Sequence, residues 1–227
     1  TVTIKCDNSN KWFLCITTDY EKEKIGKGII GIDIGITNLV ATSEGEIIKN
    51  KTHAKYFDKQ INKLKSRRDK QCKRDSRKFK FFSRVIQKLY DVKNRKINDF
   101  LHKASKSLSS KYDTIICEDL ALKKMSESKI RGLNRELRNS QIAKFISYLS
   151  YKTKTLIKVN PRDTSKTCNR CGQKQEMSLH KRVYKCSCGY EEDRDVNAAK
   201  NILCLGQAVL ERGRSVILQE ALAFRRG

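Results

Sequence analysis

Four cysteines carry the clearest chemistry in this chain of 227 residues. Cys168 and Cys171 are spaced C-x2-C, a fourteen-residue gap follows, and Cys186 and Cys188 are spaced C-x-C. Two short thiolate knuckles can grip one ion from tight turns, and four sulfur ligands suit tetrahedral zinc. Gly172 and Gly189 follow the two pairs, and glycine allows the backbone such turns need. The competing assignment, disulfides or unrelated thiols, is weak. No secretory signal is read, and Cys6, Cys15, Cys72, Cys117 and Cys204 are scattered without a pairing pattern. Cys188 is the least regular ligand, because zinc ribbons more often carry a second C-x2-C. A closed four-cysteine site is structural, so this Zn2+ is expected to stabilise a fold and not to perform chemistry.

Carboxylates are the second chemical set. Asp33 sits in the middle of the first strand, among the isoleucines of Gly28–Ile36, a placement costly for a charge unless it is paired or binds a metal. Glu118 and Asp119 end a second apolar run, Tyr112–Leu120. Asp193 and Asp195 precede Val196–Leu203, a run of helix formers, so a helix starts at the aspartates. One aspartate suffices as the N-cap, which leaves the other for a different task.

Charge sets the class of partner. Fifty Lys and Arg against 25 Asp and Glu give a net charge of +25, which calls for a polyanion, nucleic acid first. No apolar run approaches a membrane span, so the expectation is a cytoplasmic, nucleic-acid-associated protein with no membrane partner. The charge is concentrated: Lys51–Lys111 holds 21 Lys and Arg against 5 Asp and Glu, a net +16. Phe57, Ile61 and Leu64, then Val85, Leu89, Val92, Leu101, Ala104 and Leu108, recur near helical spacing, with Arg74–Lys78 as the break. A long basic helical hairpin results. A solvated charged face is the usual meaning of such runs, but this density of like charge favours bound phosphates. Lys63, Arg67, Arg68, Arg74, Arg77, Lys78 and Arg84 are its candidate nucleic-acid contacts.

The other elements follow from pattern. Val2–Cys6 and Lys11–Thr18 read as a hairpin turning at Asn8–Asn10. Two strands and a glycine turn span Gly28–Thr42, Glu46–Lys49 is a third strand, and Tyr112–Leu120 and Thr155–Val159 are two more. Ile142, Phe145, Ile146 and Leu149 mark an amphipathic helix. Gly206 and Gly213 bracket the decline of the last helix. Strands, helices, strand, helix, strand, insertion, helix, with acids on the first strand, after the fourth and at the last helix, is an α/β layout of the RNase H-like kind. In that layout three carboxylates from distant parts of the chain hold two magnesium ions for attack on a phosphodiester. Hard oxygen ligands suit Mg2+ or Mn2+ and thiolates do not, so the two metal sites are chemically distinct.

From Gly28 to about Gly206 the chain resembles the TnpB (OrfB) transposon-encoded nucleases, relatives of the type V CRISPR effectors. The resemblance rests on G-I-D-I-G, I-C-E-D-L, S-K-T-C-N-R-C-G and D-R-D-V-N-A-A-K-N-I. It implies a RuvC nuclease with a mixed sheet, the basic helical hairpin inserted, and a small zinc ribbon. It also implies Asp33, Glu118 and Asp195 as catalytic metal ligands with Asp193 as a neighbour, and DNA and a guide RNA as partners. The corresponding divisions are an N-terminal hairpin at 1–27, a remnant of the family's longer wedge barrel, and a RuvC-like core at 28–163 that includes the hairpin at 51–111. A zinc ribbon at 164–192, a final helix at 193–213 and a tail at 214–227 complete them. The function expected is a metal-dependent DNA endonuclease of transposon origin, RNA-guided in its full-length context. Two alternatives are a non-cleaving nucleic-acid binder or repressor, which has no need of an intact acidic triad, and a transposase that joins strands with the same acids.

Overall fold

Strand β1 (Val2–Cys6), apolar at alternate positions, pairs antiparallel with the continuously apolar β2 (Trp12–Ile16), Val2 opposite Ile16 and Cys6 opposite Trp12. The computed structural model describes residues 1–6, 11–17, 26–50, 53–120, 141–178 and 181–224. The expected turn at Asn8–Asn10 and the end of the second strand at Thr18 lie outside them. Two compact units divide the chain, residues 1–24 with 51–103 and residues 25–50 with 104–227.

Helices α1 (His53–Gln71) and α2 (Arg77–Lys111) form the basic hairpin. In the first unit, Phe57 and Ile61 of α1 are buried with Ile86 of α2, and Leu64, Leu89, Tyr90 and Val92 pack against them. Lys93, 8% exposed, pairs with Asp58 at 2.7 Å and ties the two helices together. The break falls at residues 72–76, slightly earlier than the spacing suggests, because Ser76 Oγ accepts the N–H of Phe79 at 3.1 Å and caps α2. Arg77 and Lys78 therefore belong to the first turn of α2.

A five-stranded sheet is the frame of the second unit: β3 (Ile29–Asp33), β4 (Asn38–Thr42), β5 (Ile47–Lys49), β6 (Thr114–Glu118) and β7 (Thr155–Val159), in the order β5-β4-β3-β6-β7. Neighbours β3, β4 and β5 run antiparallel, whereas β6 and β7 continue parallel from β3, which makes the mixed sheet of an RNase H-like fold. Ile30, Ile32, Leu39, Val40, Ile115, Ile116 and Cys117 are buried in it. Helix α3 (Ile142–Lys152) buries Ile142, Phe145 and Leu149, as its 3.6-residue pattern requires. Strands β8 (Val183–Lys185) and β9 (Glu191–Asp193) form a small antiparallel ribbon, and α4 (Arg194–Phe224) follows β9 with no loop.

Close packing of α4 across β3 explains Gly31: a Cβ there would lie 2.3 Å from the Ala199 carbonyl oxygen and 2.7 Å from Leu203 Cβ. Gly206, expected near the end of the helix, is a packing residue inside it, since a Cβ there would meet Ile116 Cδ1 at 2.4 Å. The helix accordingly continues beyond residue 213. Asp33 also differs from expectation: it is the last residue of β3, not a mid-strand one. The strand stops because Gly35 turns the chain, donating its N–H to the Asn38 carbonyl at 3.1 Å. Among the described residues, no helix is long and apolar enough to cross a membrane.

Candidate acidic site and cysteine cluster

Register brings the first two carboxylates together. Ile32 lies opposite Cys117 in the parallel pair β3–β6, so the next step sets Asp33 beside Glu118 at the C-terminal ends of both strands. Asp33 shares a sheet face with Gly31, since side chains alternate, and that face meets α4 at Ala199. One helical turn back from Ala199 is Asp195, which thereby reaches the Asp33 end of the sheet.

Electrostatics agree with that placement. Burial, then the negative charges of Glu118 and Asp195, push Asp33 up to about 7, against the opposing pull of the Arg194 charge and the Ile34 N–H. Burial likewise raises Glu118, while a hydrogen bond from the Thr164 hydroxyl works to lower it. Three carboxylates gathered from β3, β6 and α4 repel one another, and hard divalent cations or protons relieve such repulsion. The donor set is all oxygen, the kind hard divalent cations take, while among the described residues the group whose ligand atoms all lie within 4.8 Å of one another is the cysteine one.

The two aspartates before the last helix divide the work. Asp193 Oδ1 accepts the N–H groups of Asp195 at 2.8 Å and Val196 at 3.3 Å, so Asp193 is the N-cap. Asp195 is free of that duty. Its Oδ2 accepts from Asn38 Nδ2 at 2.8 Å and lies 3.7 Å from an Arg182 guanidinium nitrogen.

Cys168, Cys171, Cys186 and Cys188 place their sulfurs within 4.8 Å of one another. Cys168 and Cys188 are 3.8 Å apart and Cys171 and Cys186 3.5 Å. A tetrahedron with Zn–S bonds near 2.3 Å needs edges of about 3.8 Å, so the thiols fit zinc and Cys188 belongs with the rest. Gly172 (φ 75°) and Gly189 (φ 82°) close the knuckles, donating to the carbonyls of Cys168 and Cys186 at 2.9 and 3.0 Å. The backbone N–H of Cys188 and neighbouring thiols lower Cys186 to about 6, while against the backbone N–H of Gln173 the same neighbouring thiols push Cys171 up to about 12, so the two share their protons unequally.

On the helical hairpin, Lys63, Arg74, Arg77, Lys78 and Arg84 are exposed and have no ion-pair partner among the described residues. Arg67 and Arg68 are engaged within the hairpin. Arg67 bonds Gln71 at 3.3 Å and lies 5.6 Å from the centre of the Phe82 ring. Arg68 pairs with Asp69 at 2.8 Å, bonds Ser83 at 3.2 Å and covers Phe79 at 4.7 Å.

Sequence reasoning missed Asn38, Thr164, Asn197 and Asn201. Asn197 and Asn201 left a trace: they are one turn apart on a helix whose neighbouring positions, Ala198, Ala199 and Ile202, are apolar and buried.

Residues 6–129, more than half of the chain, match the OrfB_IS605 family model, described as "Probable transposase". The chain belongs to the OrfB family. Residues 142–202, from α3 through the ribbon into α4, match the TNB domain of Cas12f1-like proteins. Among OrfB relatives, a TnpB-like protein of Methanocaldococcus jannaschii is 32% identical over 80% of this chain and 70% of its own length. A Streptomyces pristinaespiralis protein named "Putative RNA-guided DNA endonuclease" is 30% identical over 95% of this chain and 55% of its own. The chain thus spans little more than half the length of that relative. A solved structure titled "Cryo-EM structure of the Cas12f1-sgRNA-target DNA complex" shares the fold, with a TM-score of 0.52 and 21% identity over 89% of this chain and 55% of the solved one.

Proposed function

We propose that this chain is the nuclease portion of an RNA-guided DNA endonuclease of transposon origin, in which Asp33, Glu118 and Asp195 hold divalent magnesium or manganese for phosphodiester cleavage. The observation that carries this reading is the convergence of three carboxylates on one end of the sheet, with Asp33 raised to about 7. A protein that only binds nucleic acid gains nothing from such mutual repulsion. Divalent cations bound there supply an activated water and neutralise charge on the leaving oxygen. The chain's own residues prepare the site: Asn38 orients Asp195, Thr164 holds Glu118, and the Arg194 charge offsets part of the negative potential at Asp33. The four cysteines hold structural zinc, and the free basic residues of the hairpin contact backbone phosphates of DNA or guide RNA.

The test incubates the chain, with RNA that copurifies, labelled DNA and Mg2+. Asp195→Ala abolishes cleavage while nucleic-acid binding and zinc content persist. Asp193→Ala keeps cleavage and loses about 1 kcal/mol of stability, the usual value of an N-cap. Wild-type cleavage by Asp195→Ala refutes the assignment, and joined instead of cut strands identify a transposase.

A further inference from the structure

The segment Thr164–Asn169, which leads into the first cysteine knuckle, grips both sides of the acidic site. At one end, the Thr164 hydroxyl donates to Glu118 Oε1. At the other, Asn201 of α4 donates its Nδ2 to the carbonyls of Thr164 at 2.8 Å and Thr167 at 2.7 Å. Asn197 donates to the Thr167 carbonyl at 2.8 Å and accepts the Asn169 N–H at 3.1 Å. Asn169 closes the network by donating its own amide to Asn201 Oδ1 at 3.1 Å. Thr164 is 4% exposed and Asn197 fully buried, whereas Thr167, Asn169 and Asn201 are half-buried.

Close packing on Gly31 seats α4 against the sheet, and the side-chain amides of Asn197 and Asn201 add directional bonds that tie the helix to the segment. Any slide or rotation of α4 would break the bonds to three backbone groups of the segment. Asp195 precedes Asn197 by two residues on the same rigid helix, so what fixes Asn197 and Asn201 also fixes Asp195.

We propose that Thr164, Asn197 and Asn201 are positioning residues that make Thr164–Asn169 a strap between β6 and α4, setting Asp195 relative to Glu118 and thereby the affinity of the acidic site for a divalent cation. The inference rests on the acidic-site reading and adds that the spacing of its carboxylates is controlled from the cysteine-bearing segment.

The test measures Mn2+ binding to the full chain directly, by the electron paramagnetic resonance signal of free Mn2+, together with zinc content and the thermal unfolding transition. Thr164→Val removes the hydroxyl and keeps the shape, whereas Thr164→Ser keeps the hydroxyl. The valine variant is expected to bind Mn2+ about 10- to 100-fold more weakly, with zinc content and unfolding unchanged, and the serine variant to restore wild-type affinity. Asn201→Ala is expected to give a similar loss that does not add to that of Thr164→Val, since the two act through one strap. Where Asn201→Ala does not fold, the Thr164 pair decides. Wild-type Mn2+ affinity in Thr164→Val, or equal losses in the valine and serine variants, overturns the strap. A wild-type protein with no Mn2+ binding that depends on Asp195 overturns the acidic-site reading, and this inference with it.

Discussion

Asn38, the first residue of β4, donates its side-chain amide to Asp195 Oδ2 at 2.8 Å across 157 positions of sequence. Arg182 approaches the same oxygen at 3.7 Å, and among the described residues no donor reaches Oδ1. One carboxylate oxygen is thus held by the sheet while the other remains available for a cation.

Removing that hold should loosen the carboxylate without unfolding the chain, because Asn38 is only partly buried at a strand end. For Asn38→Ala we expect the Mg2+ concentration giving half-maximal cleavage to rise about 10- to 100-fold, with the maximal rate largely recovered at saturating Mg2+. A fall in the maximal rate with no change in Mg2+ dependence would assign Asn38 a different role.

The raised carboxyl of Asp33 makes stability depend on pH in a definite direction. Its ordinary value is 3.8 and its folded value about 7, so between these limits the folded state binds the additional proton. Stability contributed by this group is then lost as pH rises from about 4 to about 7, in the absence of divalent cations. Asp33→Asn should remove that slope and be the more stable form above pH 7, by at most about 4 kcal/mol. Chemical denaturation of both proteins in chelator from pH 4 to 8 reads the difference. Parallel curves would mean that Asp33 is not strained.

Extraction of zinc should unfold the ribbon and disturb α4 as well, because the first knuckle is hydrogen-bonded to Asn197. Carefully purified reduced protein should carry one equivalent of zinc, and chelation should lower the melting temperature. Hydrogen exchange should quicken at Cys168, Gly172, Cys186 and Gly189, whose amides donate inside the knuckles. Cys188→Ser should weaken zinc binding as Cys168→Ser does. Unchanged exchange after complete zinc loss would rule out a structural metal.

Phosphate contact by the helical hairpin predicts strong salt dependence. With roughly six to ten contacts, affinity for nucleic acid should fall about 10³- to 10⁵-fold between 50 and 200 mM salt. Replacing Arg74, Arg77 and Lys78 together by Ala should reduce the log–log slope by about 0.9 per lost contact. Arg68→Ala should instead lower the stability of the hairpin, since that side chain already bonds Asp69 and Ser83 and covers Phe79. An unchanged slope in the triple variant would make those cations a merely solvated surface.

By itself the sequence determined whatever rests on local spacing. The cysteine knuckles were legible because a metal chelate constrains residues two or three apart, and the strands and helices because burial of one face imposes a period of 2 or 3.6. Basic residues crowded into Lys51–Lys111 were legible as charge alone. Tertiary structure decided the rest. Asp193 and Asp195 are equivalent helix-start acids until α4 begins and the free N–H groups choose Asp193. Gly206 looked like a helix stop until Ile116 was packed against it. Asn38, Thr164, Asn197 and Asn201 are ordinary polar residues in sequence, and a hydrogen bond between side chains 46 or 157 positions apart has no local signature. Only the parallel pairing of β3 with β6, and the close seating of α4 on Gly31, bring those partners within reach.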